Sequence, residues 1–410
     1  MAKINPRQVG GVGARPSAIR RQGGQQPTGT RRVGGVGARP RPLIQRGEAG
    51  PLAPAIPDFV YNGGPVITCP FIYASFWGSL WLSDPAHLEA AGRLTQFLED
   101  LVNSNFMNIL SQYGVASGNT GTNAAGLYMQ TSFCPNVANQ LANSDIENTI
   151  QQAINAGAVP EPPAGNTTNV LVIYLDENTE VNDPSFGIVM CEPSGDNAFG
   201  YHWFFTTAAG NPFYYAVIPA LNDACIENSC PGGSGCSLNL AETQEQRRTL
   251  VTSHEFAEMC TDPAFPTGWY SPTYDECGDI CNGESASITG TTSPNVWSVQ
   301  PIYSKYDDIN SNGAVYCLAE AASPEPRLSP GPTAGVSPGL VSARRMGLYR
   351  HLLPLPPVNF DVRTGVTSIE DRHIRRYVNK LFYPLSHENV FSDFPGLLRT
   401  VASVLEKPKR

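Results

Sequence analysis

The 410-residue chain predicts an α+β fold in one central domain flanked by two basic segments. Three observations carry this reading. Apolar residues recur at period two in some stretches and near period 3.6 in others, with no regular βαβ alternation between them. All ten cysteines lie between Cys69 and Cys317. The net charge of -9 is sharply partitioned. Residues 1–50 hold ten Lys/Arg and one acidic residue, and 326–410 hold thirteen against six. Between them stand only Arg93, Arg247, Arg248 and Lys305 against twenty-nine acidic residues. A body so poor in cations should repel itself and welcome bound positive charge.

Residues 1–57 form a Gly/Arg/Pro-rich basic arm in which Val9–Pro16 (VGGVGARP) recurs as Val33–Pro40. Such sequence cannot bury a core, so a disordered linker or docking arm is expected. The central domain, 58–322, opens with strand-like Phe59–Tyr61, the turn residues Asn62-Gly63-Gly64 and a second short run at Val66-Ile67. Residues 71–82 (FIYASFWGSLWL) read as a buried strand. Leu88, Leu94, Phe97, Leu98, Leu101, Phe106, Ile109 and Leu110 give helical spacing from Ala86 to Tyr113.

A second helix is expected over 137–157, and Val170–Leu175 is an apolar strand. Tyr201–Phe205 and Phe213–Ile218 make a strand pair around the Ala-Ala-Gly-Asn turn at 208–211. A helix follows from about Leu240 to Cys260, with Asn239 and Glu242 as its capping pair. Strands are expected near Trp297–Tyr303 and Ala314–Leu318, and the acidic pairs Asp176-Glu177 and Asp307-Asp308 read as solvated loop charges. A Pro-rich linker, 323–340, leads to a basic tail, 341–410, with amphipathic helices expected at 368–382 and 394–406.

No stretch reaches the eighteen or so apolar residues of a membrane span. The N-terminal residues show no apolar secretory core, whereas an even cysteine count confined to the body points to disulfides and an extracellular or cell-surface setting. The basic segments suit an anionic surface, nucleic acid or a neighbouring copy as partner, or serve as solvated arms.

The chemistry concentrates at His254-Glu255-Phe256-Ala257-Glu258. His254 and Glu258 are four residues apart, so a helix projects both from one face, as two metal ligands require. The pattern is that of a zincin helix, H-E-x-x-H, with glutamate in the second ligand position. Glu255 then stands where a metallopeptidase keeps its general base. Glu276, eighteen residues beyond Glu258, is the expected third ligand. Asp279 and Asp262 are expected to orient the ligands from behind. His202 on its aromatic strand is the other candidate, as a group polarising the substrate carbonyl or as an alternative ligand.

Zn²⁺ is the expected cofactor. Two carboxylates and an imidazole also suit harder ions, so Mn²⁺ and Ca²⁺ stay in view. The sequence thus points to a metal-dependent hydrolase acting on a peptide or polymer. The competing reading is a non-catalytic secreted structural or binding protein with a structural metal. A third reading has the His254 face as a polar helix face pairing with Arg247, Arg248 or loop amides.

Phe59–Val66 (FVYNGGPV), Trp77-Gly78, Cys191, Gly200-Tyr201-His202, Tyr214–Pro219 and Ser253–Pro263 (SHEFAEMCTDP) with Gly278–Cys281 resemble the phosphate-induced protein/EXORDIUM-like family. The likeness covers roughly residues 58–320 and is greatest to bacterial members keeping S-H-E-x-x-E-x-x-T-D-P. It implies an extracellular or cell-wall location and, in plants, a role in growth. It does not imply catalysis, because plant members lack the complete H-E-x-x-E.

Overall fold

The computed structural model describes residues 58–328 except 117–126, 131, 132, 136, 193–196 and 231–236, together with Ile56, 358–361 and 366–368. Its centre is a five-stranded sheet built from β1 (Phe71–Trp77), β2 (Leu127–Gln130), β3 (Asn169–Leu175), β4 (Tyr201–Thr206) and β5 (Pro212–Ile218). The strand order is β4-β5-β3-β1-β2. All neighbours run parallel except the β4–β5 hairpin, which leaves β4 as an antiparallel edge.

Three long helices cover both faces of this sheet. Period-two alternation directs Ile72, Ala74, Phe76, Val172, Tyr174, Ala216 and Ile218 to one face, where they pack with α1 (Pro85–Val102) and α3 (Gln244–Thr261). Tyr73, Leu171, Ile173, Tyr201, Tyr215 and Val217 face the other way, against α2 (Asn143–Asn155). Because neither face meets water, β3 reads as an unbroken apolar run, as buried parallel strands do. His202 pairs across the hairpin with Ala216, which places it on the α3 side.

Most elements fall where the periodicity puts them, with shifts at their ends. The strand predicted over 71–82 stops at Trp77. Gly78, at φ 118°, packs against the Asp176 carboxylate, and Leu80–Ser83 turns into a short helix. The helix predicted from Ala86 to Tyr113 breaks at Asn103–Asn105 into α1, a short helix Phe106–Leu110 and a 3-10 turn. Val66 and Ile67 form no strand and are buried instead.

Thr243 and Gln246, rather than Asn239 and Glu242, cap α3. The Thr243 hydroxyl accepts from the Gln246 amide at 3.2 Å and Gln246 Oε1 from the Thr243 amide at 2.8 Å. Asn239 and Glu242 close a turn one step earlier. Asp176 and Asp308, expected in solvent, are fully buried. Asp176 accepts from the Leu80 amide, and Asp308 from the Tyr303 hydroxyl at 2.6 Å.

Residues 321–328, assigned by composition partly to the linker, dock on the body through Ala321, Glu325 and Leu328 amides bonded to carbonyls of Asn105, Asn108 and Gln112. In the basic tail, Val358–Asp361 pairs with Val366–Ser368 and, in parallel, with Phe133–Pro135. The predicted helices of the tail and the repeated N-terminal arm lie outside the described residues, save Ser368, which closes the second strand. No helix among the described residues is long and apolar enough to cross a membrane.

Candidate metal centre

α3 is buried from Arg247 to Thr261, so its polar residues face protein on every side. A helix buried all round is ordinarily apolar. This one carries His254, Glu255 and Glu258, each with no exposed surface. Two further elements close over them. β4 supplies His202, and the 276–279 segment supplies Glu276 and Asp279, all equally buried.

Gly278 allows this approach. A Cβ there would lie 2.8 Å from His254 Nδ1 and 2.9 Å from Glu258 Oε1. Any larger residue would push the loop off the helix. Gly200 does the same on the β4 side, where a Cβ would come within 3.0 Å of Glu255 Oε1.

The contacts form a continuous chain of imidazoles and carboxylates. His254 Nε2 lies 3.1 Å from Glu258 Oε1, which also accepts from the Asp279 amide at 2.9 Å. His202 Nδ1 lies 3.3 Å from Glu255 Oε2 and 3.7 Å from Glu258 Oε2, while its Nε2 faces Glu276 Oε1 at 3.5 Å. On its far side, His254 Nδ1 meets Gln300 Nε2 at 2.7 Å. Asp262, at the C-terminal end of α3, accepts from the Thr267 and Gly268 amides at 3.0 and 2.6 Å.

Several of these atoms are left without a hydrogen-bond partner: His202 Nε2, His254 Nε2, Glu258 Oε2, Asp262 Oδ2 and both oxygens of Glu276. Buried polar atoms are normally satisfied, so such a concentration needs a cause. Within the cluster, one ligand atom each from His254, Glu258 and Asp279 lie within 4.8 Å of one another, and so do atoms of His202, Glu255 and Glu258.

The proton affinities record the same strain. Burial and the neighbouring carboxylates of Glu258, Asp262 and Asp279 push Glu276 well above the usual carboxylate range. Burial raises Asp262 to about 8, against the pull of the Gly268 and Thr267 amides. Burial also raises Glu258, with His254 opposing. For His254, burial works against its charge, but Glu258 outweighs it and lifts the imidazole to about 9. Burial lowers His202 despite Glu258.

Among the described residues, no lysine or arginine neutralises this cluster. Arg93 pairs with Glu245 and covers the Trp297 ring. Arg247 binds Asp223 and the Leu221 carbonyl. Arg248 reaches the Leu175 carbonyl, Glu177 and the Trp81 ring. Lys305 bonds the Phe59 carbonyl. All four cations of the acidic body are committed elsewhere, so Arg247 and Arg248 do not pair with the His254 face. Of the pairings expected for a polar helix face, a loop amide is the one found among the described residues, that of Asp279 on Glu258 Oε1.

The residues singled out in the sequence therefore converge. His254, Glu255, Glu258, His202, Glu276, Asp279 and Asp262 share one buried region. Their partners differ in part from expectation. Asp279, expected behind the ligands, belongs to the ligand-capable group with His254 and Glu258, whereas Glu276 faces His202. Gln300 gave no sequence signal, because a single glutamine outside any motif is silent until the fold brings it to His254.

Among the described residues, disulfides join Cys191 to Cys225 and Cys281 to Cys317, the second beginning just after Asp279, and Cys230 is disulfide-bonded as well. Cys69, Cys260 and Cys277 are buried thiols, so disulfides do not take up every cysteine. In comparisons with known proteins, no family model, curated protein or solved structure matches this chain.

Proposed function

We propose that this chain is a metal-dependent protein of zincin-like chemistry, in which the α3 centre holds a divalent cation for hydrolysis of a peptide or polymer. The observation that carries the reading is the burial of Glu255, Glu258, Asp262, Glu276 and Asp279 with two imidazoles and, among the described residues, no lysine or arginine beside them. Isolated carboxylates in an apolar interior cost far more than folding can bear, so they take up either protons or a cation.

The donor set fits a divalent ion. His254, Glu258 and Asp279 would hold it, and a bound cation of this kind supplies Lewis acidity toward water and a substrate carbonyl. Imidazole and carboxylates suit Zn²⁺ and do not discriminate strongly against Mn²⁺ or Ca²⁺. Glu255, 3.3 Å from His202, is placed to accept a proton, and His202 to fix its orientation.

Ligation through His254 Nε2 requires the proton on Nδ1. The Gln300 amide stands against that tautomer, because its Nε2 lies 2.7 Å from Nδ1 and donates to the Gly278 carbonyl at 2.8 Å. Ligation through Nε2 would therefore require the amide to turn and give up the Gly278 bond.

A second reading, a structural metal in a secreted scaffold, is favoured by one observation: every candidate ligand is wholly buried. Substrate would enter only if segments packed on the centre, the loop at Gly278 among them, move aside. The disulfides and the EXORDIUM-like motifs support an extracellular setting under either reading. Metal analysis of purified protein separates the outcomes. Wild type should hold stoichiometric metal that His254→Ala and Glu258→Ala lose, and a folded wild type without metal sinks the proposal. Peptide hydrolysis by wild type, abolished in Glu255→Gln with metal retained, supports the enzyme. Retained metal without hydrolysis leaves the scaffold.

A further inference from the structure

The two ligand-capable groups meet in one side chain. Glu258 belongs both to the His254/Asp279 group and to the His202/Glu255 group. It faces them with different oxygens. Oε1 lies 3.1 Å from His254 Nε2 and accepts from the Asp279 amide. Oε2 points toward His202 Nδ1 at 3.7 Å and has no hydrogen-bond partner.

We propose that the centre binds two divalent cations bridged by the Glu258 carboxylate, the second held by His202 and Glu255. This rests on reading α3 as a metal-holding helix and extends it from one ion to a pair. Paired metal centres place their ions about 3.5–4 Å apart, a separation that one bridging carboxylate spans.

Charge supports the number two. Two backbone amides already satisfy one oxygen of Asp262. The other carboxylates are Glu255, Glu258, Glu276 and Asp279, four formal negative charges in a fully buried site. Two divalent cations balance them when all four are ionised and His254 is neutral, and no arginine or lysine among the described residues takes that place. A single cation requires protons on the remaining carboxylates, Glu276 first. Geometry supports the second position independently. His202 turns Nδ1 toward Glu255 and Glu258, while its unpartnered Nε2 faces Glu276 at 3.5 Å. An imidazole with a ligand on one nitrogen and a carboxylate behind the other is the usual way to orient a metal-binding histidine. Glu255 then serves as a ligand rather than as the proton acceptor.

The test uses the full chain, stripped with chelator and titrated with Mn²⁺. Native mass spectrometry counts the ions, and electron paramagnetic resonance reads their coupling. Two Mn²⁺ per chain with an exchange-coupled signal are expected from wild type alone, whatever the folding of any variant. His202→Gln and His254→Gln should each keep one uncoupled ion, and Glu258→Gln should weaken both sites by more than about tenfold and abolish the coupling. Saturation at one ion, or two uncoupled ions in wild type, overturns the pair. A single ion lost in His254→Gln and unaffected by His202→Gln removes the pair while leaving the one-metal reading intact. No ion at all removes both.

Discussion

Asp100 and Glu276 are both carboxylates without exposed surface, and the protein treats them in opposite ways. Asp100, on α1, sits in a cradle made for an anion. It accepts from the Thr292 amide and hydroxyl at 2.7 and 2.8 Å, the Ser293 amide and hydroxyl at 3.1 and 2.5 Å, and Trp297 Nε1 at 2.8 Å. Burial alone would raise its proton affinity, but these donors win and lower it. Glu276 has no hydrogen-bond donor on either oxygen, and burial together with three neighbouring acids raises it far above normal. Neutral dipoles complete the first site from within the fold. The second lacks that compensation and is suited to positive charge from outside.

The largest effect that could break this contrast is loss of the cradle. Asp100→Ala would orphan five donors and should cost on the order of 3–4 kcal/mol in urea unfolding, with metal content per folded chain unchanged. A loss below 1 kcal/mol would mean that the cradle is not what holds the 290–297 loop to α1.

Glu276→Gln should act with the opposite sign. In metal-free protein it removes a strained acid and should stabilise by about 1–2 kcal/mol at pH 8, while weakening metal binding in a titration. Destabilisation of the metal-free form would show that this carboxylate has internal partners after all.

The pH dependence sharpens the comparison with a smaller reading, at most about 1.4 kcal/mol per pH unit for one proton. Asp262 has a folded value of about 8 against an ordinary 3.8. Its contribution to the metal-free fold is therefore full below pH 3.8 and is lost as pH rises through 8. Asp100 is lowered, so its contribution is present above 3.8 and is lost as pH falls through its folded value. Melting temperatures from pH 2 to 9 in chelator should show Asp262→Asn flattening the decline between about pH 4 and pH 8, and Asp100→Asn the fall below pH 3.8. Identical profiles for the two variants would contradict the opposed shifts.

How legible this was depended on the range of each interaction. Helical spacing in α1 and α3, the apolar run of β3 and the β4–β5 hairpin are local, and the sequence displayed them. The i, i+4 placement of His254 and Glu258 is local too, and His202 stood out by its aromatic neighbours on a strand. The Asp100 cradle was not legible, since its donors lie about 190 residues away and Thr-Thr-Ser-Pro looks like any loop. Nor was the strand order, because parallel pairing across crossovers leaves no mark in a short window. The exchange of places between Asp279 and Glu276 was not legible either, because it depends on how the 276–279 loop packs against α3 and β4. The α3 cap was misplaced because Asn239–Glu242 and Thr243–Gln246 have the same spacing, and the choice between them rests on where the chain enters the core.

The complete burial of the seven centre residues has a kinetic consequence. An ion in such a place has no path to solvent while the loops are closed, so its exchange follows the opening of the protein and not the strength of a competitor. Metal captured as the chain folds would leave at a rate independent of chelator concentration. The cargo would then record the ions present where folding finished, long after the protein has moved elsewhere.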